Sequence, residues 1–488
     1  MRLTDMLELL PDPPTGWVLP PGIADLTIAD LTADSRAVRP GSLFVALPGA
    51  RHDGRAYIAE AVARGAAAVL APPGTEWPEG VPERPLLLDP SPRRRLAQLA
   101  ALAAGPQPAT VIAVTGTNGK TSTVEFIRQL AGSDAASLGT LGLVSPAFPA
   151  LQQPGGLTTP DPVVLARTLA DLARAGIRVA ALEASSHGLD QCRLDGVRLT
   201  AAGFSNLTRD HLDYHGDLAA YRAAKLRLFD TLLSPGAPAV ANADMEPETL
   251  AALREVAASR RLDLRLVGQR GDAIRLLRAC PLPHGQAITI QAGAVRREIA
   301  LRLPGRFQAD NVLLAAALAE AVGIEDVLER LPSLVGVRGR MELAASLPNG
   351  AAAYVDYAHT PDALERLLAA LRPHARRLVL VFGAGGDRDR GKRPLMGAVA
   401  ARLADIAIVT DDNPRGEDPA AIRAAVRAGC PGAMEIGDRA GAIAAGLSLL
   451  GPGDVLAVAG KGHEQGQIIA GEIIAFDDVA AIRAAVGR

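Results

Sequence analysis

A short apolar run that ends in a glycine-rich turn constrains this chain more than any other stretch. Residues 111–114 (VIAV) are strand formers, and residues 115–122 (TGTNGKTS) lead from them into the helical pattern Val124, Ile127 and Leu130. A strand, a glycine-rich turn and a helix in this order are typical of a phosphate-binding loop, because glycine lets backbone N–H groups approach an anion. The alternative is a tight turn that carries a surface lysine.

The spacing of this turn is G-x-x-G-K-T, because Val114 stands where the first glycine of the commoner G-x-x-x-x-G-K-[ST] pattern would fall. Lys120 brings a point charge to the outer phosphates, and the hydroxyl of Thr121 is placed to hold Mg²⁺. The turn therefore predicts a nucleoside triphosphate site that comprises Gly116, Thr117, Asn118, Gly119, Lys120, Thr121 and Ser122.

Length and charge limit the classes of function. A chain of 488 residues has room for three domains at about 100–200 residues each. The 51 Lys and Arg residues nearly balance the 53 Asp and Glu residues, so no basic surface argues for nucleic acid or membrane binding. The three cysteines lie far apart, and no apolar run is long enough to span a membrane. We expect a cytoplasmic protein that acts as a monomer on small molecules.

Strand and helix patterns alternate along the chain, which predicts an α/β protein of three domains. The first domain spans residues 1–104 and the second, residues 105–335, contains the phosphate loop and a parallel sheet. Within the second, residues 263–303 have short alternating patterns, beginning with a strand at 264–267, that predict an antiparallel appendage. The third domain, residues 336–488, has apolar strands separated by helices, as in a doubly wound sheet.

Polar clusters follow two apolar strands of the second domain, where parallel sheets present their ligands. Glu183 directly follows the strand 179–182 and is placed to hold a metal, with a solvated turn as the alternative. Residues 206–215 (NLTRDHLDYH) include His211, and they can be interpreted as a Zn²⁺ site or as a satisfied surface loop. An oxygen-rich set beside a phosphate loop suits Mg²⁺ better.

Lys225 lies on an apolar helical face with Tyr221, Leu228 and Phe229. A lysine in such a place usually extends its ammonium group to water. If the amine were truly buried, its pKa would fall, and the neutral form would react, for example, with CO₂. The sequence leaves both interpretations open.

Charged turns follow three predicted strands of the third domain, at residues 383–394, 411–416 and 460–464. The first turn has the glycines of a dinucleotide fingerprint, but its charged residues and Pro394 disfavour the helix that this fingerprint needs. Three strand ends that offer Arg, Asp and Glu would form a pocket for a zwitterion, with Arg for a carboxylate and the acids for an ammonium group.

Taken in order, these motifs resemble the Mur ligase family over nearly the whole chain. The resemblance is carried by residues 34–36 (DSR), 116–121 (GTNGKT), 158–161 (TTPD), 183–188 (EASSHG), 208–216 (TRDHLDYHG), 221–225 (YRAAK), 339–342 (GRME), 355–361 (VDYAHTP) and 412–415 (DNPR). It implies the three-domain Mur ligase architecture, with a central P-loop parallel sheet domain and a C-terminal doubly wound α/β domain. The three domains would bind the UDP-sugar, ATP and the amino acid in that order.

The resemblance also implies an activity. Residues 412–415 match the form of the family that accepts meso-2,6-diaminopimelate. The expected reaction is ATP-dependent amide formation with the D-glutamyl γ-carboxylate of UDP-N-acetylmuramoyl-L-alanyl-D-glutamate, through an acyl phosphate, in peptidoglycan precursor synthesis. The alternatives are an L-lysine-adding homologue and a ligase like folylpolyglutamate synthetase. A P-loop kinase or transporter ATPase would lack the Lys225 element, and the metal set disfavours a non-catalytic nucleotide-binding module.

The family pattern assigns roles to individual positions. Catalysis falls to Lys120, His211 and Lys225, the last as a carbamate. Mg²⁺ would be held by Thr121, Glu183, His211 and the modified Lys225. ATP, the co-substrate, would contact Gly116 to Ser122 together with Asn311, Arg340 and Asp356.

The two remaining substrates take other residues. The UDP-muramoyl-dipeptide would contact Ala33, Ser35, Ala50, Arg51, His52, Thr158, Thr159, Ser185, Gln191 and Arg193. Diaminopimelate would contact Arg388, Asp412, Asn413, Pro414, Arg415, Gly460 and Glu464.

Overall fold

The apolar runs of the sequence form strands of parallel sheets in a computed structural model of the chain. The structure describes residues 2–10, 26–49, 52–152 and 156–487. By its contacts the chain divides into two units, Met1–Val267 with Leu314–Glu325, and Gly268–Leu313 with Asp326–Arg488. Each unit is described separately below.

The first unit begins with a small parallel sheet. Its elements are α1 (Leu3–Glu8), β1 (Asp30–Thr32), β2 (Ser42–Val45), α2 (Ile58–Ala63), β3 (Ala68–Ala71), β4 (Leu86–Leu88) and α3 (Pro92–Ala104). The strand order is β1-β2-β3-β4. Side chains of β2 alternate between two cores: Leu43 and Val45 pack with α1 and α3, and Phe44 packs with α2. Burial on both faces explains why residues 43–45 of β2 are all apolar.

The larger sheet of the first unit contains the phosphate loop. Its elements are β5 (Thr110–Thr115), α4 (Lys120–Ala131), β6 (Ala135–Gly139), β7 (Gly142–Val144), α5 (Pro162–Arg174), β8 (Val179–Glu183), α6 (Ser186–Asp190), β9 (Ala201–Phe204), α7 (Leu212–His215), α8 (Leu218–Arg227), β10 (Pro238–Asn242), α9 (Pro247–Arg260) and β11 (Asp263–Gly268). The order is β11-β10-β9-β5-β8-β6-β7, with parallel pairing except at β7. The carboxyl ends of β8 and β9 therefore flank that of β5.

The prediction that residues 264–267 belong to an antiparallel appendage is wrong, because β11 pairs with β10 in parallel. The first half of β11 is more exposed than the second, and this uneven burial produced the alternating pattern. An antiparallel meander does follow in the second unit, formed by β12 (Ile274–Leu282), β13 (Gly285–Ala292) and β14 (Val295–Leu301).

The second unit also contains the doubly wound sheet that the sequence predicts. The chain forms α10 (Arg306–Ala321, which continues into the first unit), α11 (Val327–Arg330), β15 (Glu342–Ser346), β16 (Ala352–Asp356), α12 (Pro361–Leu371), β17 (Leu378–Phe382), α13 (Lys392–Leu403), β18 (Ile406–Val409), α14 (Pro419–Arg427), β19 (Met434–Glu435), α15 (Arg439–Ser448), β20 (Val455–Ala459), β21 (Gly466–Ile469), β22 (Glu472–Ala475) and α16 (Asp478–Val486). The order is β15-β16-β20-β17-β18-β19, and only β15 is antiparallel to its neighbour.

Helices cover both faces of this sheet. Leu380 of β17 packs in the core of α12, α13 and α14, and its neighbour Val381 packs in that of α15 and α16. The α/β class and the C-terminal doubly wound domain are therefore confirmed, whereas the domain boundaries at residues 104 and 335 stay a prediction. In the described part of the chain, no helix combines the length and apolar character that a membrane crossing requires.

A buried ion pair connects α15 to α16. Arg439 Nε and Nη2 each donate to the carboxylate of Asp478 at 2.7 Å, and the two side chains are 1% and 0% exposed. Arg439 Nη2 also donates to the carbonyl of Ala459, at the end of β20, at 3.1 Å. The pair therefore supports a strand end that belongs to the predicted amino acid site.

We expect Asp478→Ala to lower the free energy of unfolding of this unit by about 3–5 kcal/mol, because it leaves a buried guanidinium without its counter-ion. The free energy is measured by urea unfolding, with hydrogen exchange of the α15 amides as the probe. Glu365→Ala is the control, because Glu365 pairs with Arg402 at 2.9 Å where both side chains are about half exposed. An equal loss in both variants would contradict the prediction.

Candidate active site

The phosphate loop has a backbone that only glycine fits at its first position. Gly116 has φ +141°, and a Cβ there would lie 2.0 Å from Ser205 Oγ. Gly119 adopts the left-handed conformation at φ +85°, directly before α4. The two glycines therefore turn the chain from β5 into the N-terminus of a helix.

Residues that follow β9 support the loop from the side. Asn118 donates its backbone N–H to Asn206 Oδ1 at 3.0 Å, and Asn206 Nδ2 donates back to the Asn118 carbonyl at 3.0 Å. Thr117 donates its N–H to the Asn206 carbonyl at 2.8 Å, and its hydroxyl accepts from the Thr208 N–H at 3.0 Å. The loop is therefore pre-organised by its neighbour in the sheet.

The ammonium group of Lys120 lies over this loop. Its Nζ donates to the carbonyl oxygens of Gly116 and Thr117, both at 2.8 Å. Thr121 and Ser122 follow on the first turn of α4, where both are buried. The loop thus combines helix N–H groups, a cation and a hydroxyl, which is the chemistry that binds a polyphosphate.

Lys225 is buried, and the interpretation of a side chain that reaches water is wrong. The residue is 1% exposed, and its Nζ donates to the Gly116 carbonyl at 2.9 Å and lies 4.4 Å from the ring centre of Tyr221. Burial lowers the pKa of Lys225 well below its usual value, and the positive charge of Lys120 lowers it further. The helix therefore presents an amine that loses its proton more easily than an ordinary lysine does.

Glu183 is held at the end of β8. Its carboxylate accepts from the N–H of Thr140 at 2.7 Å and from the hydroxyl of Thr140 at 3.3 Å. Glu183 is 2% exposed, and a Cβ at Gly139 would lie 2.1 Å from its Oε1. These contacts exclude the solvated turn as the environment of Glu183.

Aromatic and imidazole rings cluster around the predicted ligand His211. The ring centre of His187 lies 4.9 Å from that of His211, 4.1 Å from Tyr214 and 5.5 Å from His215. Burial lowers the pKa values of His187 and His215, and the charges of neighbouring histidines act in the same direction. Within the described residues, no three His, Cys, Asp or Glu side chains form a group that could hold a metal ion.

The structure brings together the residues predicted to contact the muramoyl-dipeptide. Thr158 precedes Thr159, whose hydroxyl lies 3.0 Å from Ser185 Oγ. Arg193 donates to the Thr159 carbonyl and to Gln191 Oε1, both at 2.7 Å. Hydrogen bonds therefore connect Thr159, Ser185, Arg193 and Gln191, whereas the hydroxyl of Thr158 lies 3.2 Å from that of Thr140.

A pocket in the first unit adjoins this group. Its described lining residues are Leu47, Arg93, Leu96, Leu157, Asp161, Pro162, Gln191 and Arg193. Arg93 and Asp161 were not predicted as site residues. Arg93 belongs to a run of three arginines, a pattern typical of the solvent-exposed first turn of a helix. Asp161 caps the N-terminus of α5 by accepting a hydrogen bond from the N–H of Val163. Only their position in the fold associates them with Gln191 and Arg193.

The predicted contacts to the UDP end are less well defined. Ser35 is buried, and its hydroxyl donates to Glu60 Oε2 at 2.8 Å. Ala33 is half-buried and His52 is exposed. Ala50 and Arg51 lie outside the described residues.

Three predicted ATP contacts belong to the second unit. The guanidinium of Arg340 stacks 4.7 Å from the ring centre of Tyr357. Asp356, at the end of β16, accepts from two backbone N–H groups at 2.8 Å, and burial raises its pKa. Asn311 is buried in α10 and donates to Gln308 Oε1 at 3.1 Å.

The side chains of two arginines approach a glycine beyond β17. A Cβ at Gly385 would lie 2.8 Å from Arg415 Nη1 and 3.9 Å from Arg388 Cγ. Arg415 has φ +54° and donates to the Gly386 carbonyl at 2.8 Å. Because β17 lies between β18 and β20, the three charged turns share one edge of the sheet, as the sequence predicts.

Acidic and amide groups complete this edge. Asp412 is 5% exposed, and its Oδ1 has no hydrogen-bond partner within the described residues. Asn413 Nδ2 donates to Glu464 Oε2 at 2.9 Å, and a Cβ at Gly460 would lie 3.1 Å from Asp412 Oδ2. Pro414 is buried beside them. Lys461, which was not predicted as a site residue, is also buried here.

The chain matches three family models. The model described as the Mur ligase family, catalytic domain, matches residues 27–103, and that of the Mur ligase middle domain matches residues 114–319. The model of the Mur ligase, glutamate ligase domain, matches residues 339–462.

Curated relatives and solved structures agree with these matches. A protein of Caulobacter vibrioides named UDP-N-acetylmuramoyl-L-alanyl-D-glutamate–2,6-diaminopimelate ligase is 55% identical, over 94% of this chain and 96% of its own. One of the same name from Mesorhizobium japonicum is 49% identical over 100% and 99%.

A solved structure of a ligase with that name is 35% identical and covers 94% of this chain and 95% of its own, with a TM-score of 0.69. The folylpolyglutamate synthase of Mycobacterium tuberculosis, solved with ADP and AMPPCP, shares the fold at 22% identity, a TM-score of 0.61, and coverage of 81% and 95%. The matched models together span most of the chain, and the chain therefore belongs to the Mur ligase family.

Proposed function

We propose that this ligase joins meso-2,6-diaminopimelate to the D-glutamyl γ-carboxylate of UDP-N-acetylmuramoyl-L-alanyl-D-glutamate in peptidoglycan precursor synthesis. The observation that carries the proposal is that Arg415, Arg388 and Asp412 lie at one sheet edge, where Asp412 Oδ1 has no hydrogen-bond partner within the described residues. The names of the relatives from Caulobacter and Mesorhizobium support it.

The reaction needs activation, because a carboxylate does not react with an amine until one oxygen becomes a good leaving group. The γ-phosphoryl group of ATP passes to the D-glutamyl γ-carboxylate, which gives ADP and an acyl phosphate. The amine of diaminopimelate then attacks the acyl carbon, loses a proton, and displaces phosphate. The phosphate loop and Lys120 supply positive charge to the transferring group, and no side chain needs to act as a nucleophile.

The donor groups near the loop fit Mg²⁺. Glu183 offers a buried carboxylate and Thr121 a hydroxyl, and His211 adds an imidazole nitrogen. Lys225 can become a ligand when its neutral amine adds to CO₂ and releases a proton, which forms a carbamate whose single negative charge is shared by two oxygens. When bound, Mg²⁺ would neutralise charge on the phosphates.

The amino acid site suits a substrate with two carboxylates. L-Lysine lacks the second carboxylate, so it would leave a guanidinium of the Arg415 and Arg388 pair without a partner. Asp412 Oδ1 has no hydrogen-bond partner within the described residues, although Lys461 Nζ lies 3.8 Å away, so it can accept from the ammonium group of a substrate. A folylpolyglutamate synthetase would have no use for the UDP-sugar domain. A cytoplasmic location and a monomeric state stay predictions.

The test is ADP release with UDP-N-acetylmuramoyl-L-alanyl-D-glutamate and a panel of meso-diaminopimelate, L-lysine and L-glutamate. We expect turnover with diaminopimelate and little with the others. Preference for L-lysine would contradict the pocket assignment. Turnover of L-glutamate with a folate acceptor would favour the synthetase alternative.

Lys120→Ala should raise the activation free energy of ADP release by several kcal/mol, and thereby lower kcat. This is the order of magnitude expected when an electrostatic donor to the transition state is lost. Steady-state kinetics at saturating substrates measure this change. Nearly normal kcat would contradict the role of the loop in ATP cleavage.

Lys225→Ala should be nearly inactive, and formate or acetate should partly restore activity by replacing the carbamate oxygens. After incubation with ¹³C-bicarbonate, the unmodified protein should show a carbamate resonance that Lys225→Ala lacks. Lys392→Ala is the control and should retain the resonance. A resonance that persists without Lys225 would contradict the assignment.

Arg415→Ala should raise KM for diaminopimelate about 10- to 1000-fold, which corresponds to about 1.5–4 kcal/mol for a charged hydrogen-bonded pair. KM for ATP and for the UDP-substrate should stay unchanged, since other residues bind them. Arg366→Ala is the control, because Arg366 forms an exposed pair with Asp362 at 3.0 Å. If all three KM values rose together, Arg415 would be a structural residue.

A further inference from the structure

Lys461, directly beyond β20, carries a charge that the mechanism above does not use. Its side chain is 0% exposed. Its Nζ donates to Asn413 Oδ1 at 3.0 Å and to Glu464 Oε2 at 3.1 Å, and it lies 3.8 Å from Asp412 Oδ1. A compact ammonium can serve several acceptors at once. Lys461 thus contacts three residues of the proposed diaminopimelate site.

These contacts determine how the amide of Asn413 faces. Its Oδ1 accepts from Lys461 Nζ and from the backbone N–H of Ile468 at 2.9 Å. With both donors on the oxygen, Nδ2 is directed to Glu464 Oε2 at 2.9 Å. Without the Lys461 ammonium, the amide oxygen of Asn413 would lose one of its two donors. The Glu464 carboxylate would lose the one cation that donates a hydrogen bond to it within the described residues.

We propose that Lys461 is a positioning residue for diaminopimelate, which acts through Asn413 and Glu464 by fixing the orientation of their side chains. Lys461 is 0% exposed and its Nζ donates to these two residues, so it acts through them. The inference rests on the proposed function, because it assigns Lys461 to the same amino acid site.

Lys461→Met keeps most of the length of the side chain and removes its charge and its donors. We expect KM for diaminopimelate to rise about 10- to 100-fold, as for lost hydrogen bonds to charged groups. The kcat value at saturation and KM for ATP should change less than about threefold, which corresponds to about 0.65 kcal/mol, because other residues contact ATP. Arg402→Met, which removes an exposed cation of the same sheet domain, should leave all three constants unchanged.

A double-variant cycle with Asn413→Ala separates positioning from general damage. If Lys461 acts through Asn413, the further rise in KM on adding Lys461→Met to Asn413→Ala should be smaller than the rise in the unmodified protein. Fully multiplicative effects, or an equal rise in KM for ATP, would overturn the inference.

Rescue provides a readout even where Lys461→Met folds poorly. In Lys461→Ala, n-propylammonium replaces the missing side-chain atoms and should lower KM for diaminopimelate, whereas uncharged n-propanol should not. The inference would be overturned if the two compounds had equal effects on KM, or if neither compound lowered it. If the unmodified protein did not ligate diaminopimelate, the proposed function would fail; normal ligation with an unchanged KM in Lys461→Met would defeat the inference alone.

Discussion

One backbone oxygen receives two ammonium groups, and the chemistry of the first unit depends on this arrangement. The Gly116 carbonyl accepts from Lys120 Nζ at 2.8 Å and from Lys225 Nζ at 2.9 Å. Two positive charges on one oxygen repel each other, and burial removes the water that would screen them. The conflict is relieved when the more buried amine, that of Lys225, gives up its proton. The loop can then keep the charge of Lys120 for the nucleotide.

Strand order brings the other groups to this oxygen without a dedicated scaffold. Because β5 lies between β8 and β9, the carboxyl ends of these two strands flank the loop. Glu183 is the last residue of β8, and Ser205 directly follows β9. The same logic operates in the second unit, where β17 lies between β20 and β18. Each sheet therefore brings polar side chains from three strand ends to one edge, which is where parallel sheets bind their ligands.

The sequence predicted features that depend on local pattern and missed those that depend on neighbours in space. The strand predicted at residues 179–182 is observed as Val179–Glu183, because burial on both faces makes its first four residues apolar. Residues 264–267 were assigned to the wrong pairing, since the direction in which a neighbouring strand runs leaves no periodicity in the sequence. Whether Lys225 was buried could not be decided from its helix alone, and the decisive contact, with Gly116, lies over one hundred positions away.

Lysine is rare in this chain, and its four side chains have similar hydrogen-bonding surroundings. Among 51 Lys and Arg residues, lysine is found only at positions 120, 225, 392 and 461. Each ammonium donates to a backbone carbonyl or to a crowded polar group: Lys392, for example, donates to the His359 carbonyl at 2.9 Å. Arginine also donates to single carbonyls, as Arg415 does to that of Gly386 at 2.8 Å. Its planar fork in addition suits positions such as Arg439, where two donors meet the two oxygens of one carboxylate. A carboxylate that accepts through both oxygens therefore favours arginine, whereas a single carbonyl accepts from either cation.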